Sequence, residues 1–325
     1  MKRLLVGMLS LLLVACLMTN TAHAQFGDLL NKATKAAAAK GTKALGLENI
    51  LKQPKAISTN FGDVNRTDEQ MPDFQNEKQY TPLTDLPKNL EGGYVLKAGH
   101  FEIINKSYCL KAGTFAPSSG DGYMYAPVLG KKKDIVTIIL KSAEKHPEVK
   151  QSEIQMLLWT IIARTKFSDY SGSVKETAIR LLTAKQLLQL EGGALGILPF
   201  DVVKKAKDQL PSELKLVFEA ENNIRNLVSS GNYSYAEFEK YAILAGMAPP
   251  RTDAPNGIWT CHPDGYYIRY FPSGYSRTKT QIYVPEDVIT RLDGKKLIYD
   301  ATDDIAYPAN TGSQRLAQTN EAISL

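Results

Sequence analysis

The chain is poor in the residues that carry metal and redox chemistry. It holds 3 cysteines and 4 histidines in 325 residues, with no CxxC, HxH or HExxH spacing. A zinc site needs closely set Cys or His ligands, so no metal is expected. Asp293-Gly294 and Asp303-Asp304 lack the ligand density of a calcium loop. No glycine-rich loop follows a strand-like run. Gly192-Gly193-Ala194-Leu195-Gly196 closes a helical pattern instead, so no phosphate cradle and no cofactor is expected. The formal charge is only +5, and Lys131-Lys132-Lys133 is the one basic run. That is too little for a nucleic-acid interface, and no nucleic-acid partner is expected. After the N-terminal stretch no apolar run is long enough to cross a membrane, and no internal repeat occurs.

What is present starts at the N-terminus. Lys2 and Arg3 precede an apolar run from Leu4 to Met18, and Ala22-His23-Ala24 offers a cleavage site before Gln25. This pattern predicts a secretory signal peptide over 1–24, and hence an exported bacterial protein of the periplasm or cell surface. Leu13-Val14-Ala15-Cys16 also matches a bacterial lipobox. On that second reading Cys16 would carry a lipid and tether the protein to a membrane, its only membrane attachment.

The composition, 43% hydrophobic and 22% charged, is that of a globular protein. Residues 25–91 read as a short helix, with Leu29, Leu30, Ala33 and Ala37 on one face, followed by an extended arm. Residues 92–247 read as a β-meander and then a helical bundle. The runs around Tyr94, Phe101 and Tyr108 are β-branched and aromatic, and the period turns helical from Ile135. Strands return over 256–300, where Pro263-Asp264-Gly265 marks a hairpin, and 301–325 reads as a polar tail. The expected class is α+β: an N-terminal β-meander packed on a helical subdomain, then a small C-terminal antiparallel sheet.

Cleavage before Gln25 leaves two cysteines, Cys109 and Cys261. In an oxidising compartment the plainest expectation is a disulfide that joins the two β-segments of a structural envelope protein. A sharper expectation comes from two short motifs. Tyr108-Cys109-Leu110 ends a predicted strand, and Gln155-Met156-Leu157-Leu158-Trp159 lies in the first turns of a predicted helix. Together, over 92–166, they resemble the bacterial thioester domain of surface adhesins, with its aromatic-Cys-apolar strand motif and its Gln-x-x-apolar-Trp helix motif. The resemblance implies an internal thioester with Cys109 as the sulfur and Gln155 as the acyl donor. Tyr108 and Trp159 would support and shield the bond. It also implies covalent capture of a surface protein or glycan that offers an amine or hydroxyl.

Local rules give Gln155 another role. It is the third residue after Ser152 and can close a capping box at a helix start. A third functional expectation is a cysteine hydrolase with Cys109 as nucleophile and His100, His146 or His262 as base. Binding rather than turnover is nevertheless the expected role. The C-terminal β-segment carries Trp259, Tyr266, Tyr267, Tyr270, Phe271, Tyr275 and Tyr283. Strand alternation puts Tyr267 and Arg269 on one face, the candidate contact face for a ligand.

Overall fold

Residues 100–107 alternate between inward and outward side chains, within the longest of the described strands, 99–109. The computed structural model describes residues 55–57, 64, 79–191, 212–248, 255–309 and 311–323, all within one compact unit. The expected signal peptide, lipobox and first short helix lie outside the described residues. Of the expected arm, Ala56 and Val64 are buried, and the Lys55 and Ala56 carbonyls accept the N–H groups of Lys131 and Lys132.

In chain order the strands and helices begin with β1 (Thr81–Pro82), β2 (Tyr94–Leu96), β3 (Gly99–Cys109), β4 (Thr114–Phe115) and β5 (Tyr123–Pro127). Six helices follow: α1 (Lys133–Ala143), α2 (Gln151–Ile162), α3 (Gly172–Leu181), α4 (Ala184–Glu191), α5 (Ser212–Ser229) and α6 (Tyr235–Ala242). The chain then forms β6 (Ile243–Leu244), β7 (Thr260–Cys261), β8 (Tyr267–Pro272), β9 (Arg277–Val284) and the short α7 (Glu286–Arg291). It ends with β10 (Leu297–Tyr299), β11 (Asp304–Pro308) and β12 (Leu316–Ala322). The class is α+β, with a helical subdomain as the sequence indicates.

The main sheet runs β5-β11-β12-β3-β9-β8-β7, antiparallel throughout, with β1 added in parallel on β3. Tyr125 of β5 donates its N–H to the Thr260 hydroxyl of β7 at 3.0 Å, so the two ends of this order meet and the sheet curls. Alternation sorts the core. Met124, Ala126, Ile305 and Ala317 join the helices in one cluster, while Tyr123, Tyr125, Ala306 and Leu316 join a second cluster on the other face.

Two expectations need correction. The strands over 92–127 do not pair with their chain neighbours as a meander would. β3 pairs with β9 and β12, β5 with β11, and β2 with β10. The longer strands of both predicted β-segments are thus woven into one sheet, while β2 and β10 form a two-stranded sheet of their own. Alternation along a strand shows which face is buried but not which strand lies beside it. The described residues of the expected tail, 301–309 and 311–323, are also no tail, since β11 and β12 lie inside the sheet. Gln318, Thr319 and Asn320 are polar but buried. Asn320 accepts the Ala301 N–H at 2.7 Å and donates to Asp300 at 2.8 Å, and Gln318 donates to Leu316 O at 2.9 Å, while Gln318 Oε1 and Thr319 Oγ1 are buried without a partner, so polarity here does not mark solvent exposure.

Candidate functional site

Three residues of α2, four apart, share one helix face and all meet the end of β3. Gln151 donates its side-chain amide to Ser107 O at 3.0 Å and Ser276 O at 2.7 Å. Gln155 accepts the Cys109 N–H at 2.7 Å and donates to the Cys109 carbonyl at 3.0 Å. Trp159 donates its indole N–H to Cys109 Sγ at 3.1 Å. The structure therefore brings Cys109, Gln155 and Trp159 together, as the two motifs led one to expect. The capping role of Gln155 is not seen. α2 starts one residue before Ser152, and Glu153 accepts the Lys150 N–H at 3.2 Å in place of a Ser152–Gln155 pair.

The side chain that faces the sulfur is a different glutamine. The Cys109 thiol has two acceptors in reach, Oε1 of Gln314, which leads into β12, and the Lys111 carbonyl at 3.3 Å. Gln314 donates its amide nitrogen to Thr114 O at 3.0 Å and Ala242 O at 3.4 Å, which orients the carboxamide with its carbonyl toward Cys109. Cys109 and Gln314 are both fully buried. The backbone around them is closely fitted. Gly113 has φ +73°, and a Cβ there would stand 2.6 Å from Leu216 O of α5. Burial pushes the Cys109 thiol up to about 12, against the opposing pull of the Trp159 N–H, so it is a neutral thiol at physiological pH. Over Trp159 lie the half-buried rings of Tyr235 and Tyr275, with centroids 5.8 and 6.1 Å from the indole. Tyr108 is buried in the same cluster.

Gln314, Gln151 and Tyr235 were not expected at the site, and Tyr275 was expected only among the aromatics of the C-terminal β-segment. The spacing of Gln151, Gln155 and Trp159 on one helix face was a usable signal. Gln314 had none, because the strand it leads into reads as a polar tail.

The other expected residues lie elsewhere. Cys109 and Cys261 are not joined to each other, and their strands β3 and β7 are separated by β9 and β8. Three strand spacings amount to about 14 Å, whereas a disulfide needs Cα atoms within about 7 Å. The expected disulfide is corrected on that ground. His100 begins the strand that Cys109 ends, about 30 Å away at 3.3 Å per residue. His146 pairs with Glu148, and His262 lies between Asp264 and Asp304. Among the described residues no histidine is recorded against the Cys109 sulfur, and no group of three metal-binding side chains gathers.

Tyr267 and Arg269 do share a face of β8. Arg269 sits 4.2 Å over the Trp259 ring and donates to Tyr80 OH at 2.9 Å and to Gln281 at 2.8 Å. Tyr267 stacks with Tyr283, which stacks with His100. Neither a protein-family model, nor a curated protein, nor a solved structure matches the chain. The chemistry of the Cys109 site carries the functional argument.

Proposed function

We propose that this is an exported binding protein of the bacterial cell envelope that captures a partner covalently, through a thioester between Cys109 and Gln314. The observation that carries this is the Gln314 carboxamide, held by two backbone carbonyls with its own carbonyl at the Cys109 thiol. The sulfur attacks the amide carbon, the C–N bond breaks, and the thiol proton leaves with the nitrogen as ammonia. No oxidant is needed. A partner's amine or hydroxyl then attacks the same carbon. A new amide or ester forms, the C–S bond breaks, and Cys109 recovers its proton. Burial between β3, α2 and β12 protects the acyl group from hydrolysis until that nucleophile enters.

On this reading the acyl-donor role that the adhesin resemblance implied for Gln155 passes to Gln314. Both polar ends of Gln155 are engaged by the Cys109 backbone, so it acts as the clamp that aims the sulfur. The partner is a surface protein or glycan. The half-buried aromatic face with Tyr267 and Arg269 offers a separate area for non-covalent contact.

Incubation of the mature protein with methylamine, followed by peptide mapping, tests the assignment. The expected product is an N-methylamide on Gln314, absent in Cys109→Ala. A methylamide on Gln155, or no adduct on either residue, would contradict it.

A further inference from the structure

Three half-buried groups form a chain over the buried pair. Tyr275 donates its hydroxyl to Glu239, and the Tyr275 and Tyr235 hydroxyls are 2.6 Å apart. Both rings rest on Trp159, whose N–H reaches the Cys109 sulfur. Tyr235 and Glu239 are four apart on α6, and the last residue of that helix, Ala242, holds the Gln314 amide. One helix thus spans from this cluster to the reacting carboxamide.

The opposite flank carries the other sign. Lys111, two residues past Cys109, is held well below the usual lysine range by burial and by the nearby charges of Arg315 and Lys55. The carboxylate of Glu239 attracts an incoming ammonium group.

We infer that Glu239 is a specificity-determining residue, which draws a cationic amine past Tyr235 and Tyr275 to the thioester and favours it over uncharged nucleophiles. This rests on the thioester reading above. The step balances. Glu239 takes one proton from the ammonium group to free its lone pair, and the amine nitrogen bonds to the acyl carbon of Gln314. The C–S bond breaks, and the second amine proton goes to the Cys109 sulfur. The proton on Glu239 returns to solvent. The product is a secondary amide and a free thiol.

The test compares two probes at pH 7 on the whole mature protein: 1,5-diaminopentane, which is cationic, and hydroxylamine, which is not. Adduct formation is followed by intact mass. Glu239→Gln keeps a hydrogen-bond acceptor for Tyr275 and removes only the charge. It is expected to slow the diamine about tenfold and to leave hydroxylamine within about twofold, the low end of what a focused single charge does to encounter rates. Glu239→Lys is expected to slow the diamine further. Equal effects on both probes, or none on either, would overturn the role of Glu239 while wild type still loses ammonia and reacts. A wild type that neither loses ammonia nor reacts would overturn the thioester reading and this inference with it.

Discussion

Gln155 and Gln314 are chemically identical and differ only in what their carboxamides touch. Gln155 is spent on the backbone of Cys109. Gln314 presents its carbonyl to the sulfur. Their substitutions should therefore part company. Gln155→Ala strands a buried N–H and a buried C=O, and should lower the free energy of unfolding by about 2–4 kcal/mol. A denaturant melt reads this as a lower midpoint at unchanged slope. Gln314→Ala should cost less, because Ala242 O keeps the Gly113 N–H at 2.8 Å, yet it should abolish the thioester outright. If Gln155→Ala proves neutral in the melt, the clamp is not what holds Cys109 in place.

At the scale of elements, the site depends on how closely backbones approach. Gly113 lies between Cys109 and Thr114 with α5 packed on it, and a Cβ would meet Val217 Cα at 2.7 Å. Gly113→Ala combines that collision with a left-handed backbone. It should cost about 2 kcal/mol or more and push the Thr114 carbonyl off Gln314, read as a lower melting midpoint with slower thioester formation. A second element-scale device links β7 to β11, where His262 lies 3.5 Å from Asp304 with its ring stacked on Tyr266. Burial pushes Asp304 up to about 6, partly offset by His262. The folded state therefore holds this proton more tightly than the unfolded chain does. The resulting stabilisation is complete below about pH 4 and fades as the pH rises through about 6, an effect on the order of 2–3 kcal/mol. Asp304→Asn should flatten this part of the stability-versus-pH curve. An unchanged slope between pH 4 and 7 would show that Asp304 does not titrate there.

Across the whole molecule, local pattern and long-range pairing were not equally legible. The helices α1 to α6, the Pro263-Asp264-Gly265 hairpin and the meeting of Cys109 with the α2 face could all be read from period, turn chemistry and motif. The sheet order could not, because β3 takes both of its long partners from the last third of the chain. The polar Gln314-Arg315-Leu316-Ala317-Gln318-Thr319-Asn320 run hid a strand inside the sheet, and with it the glutamine that faces the sulfur. Hydropathy treats such residues as solvent-facing, whereas here they are buried, and Gln314 and Asn320 are held there by hydrogen bonds. The account turns on whether these two distant segments are covalently joined. The intact mass of the purified, non-reduced mature protein measures this directly. A deficit of about 17 Da that disappears in Gln314→Ala and persists in a folded Gln155 variant is the predicted result, being the loss of one ammonia. A full sequence mass, or a deficit of about 2 Da from a disulfide, would contradict it.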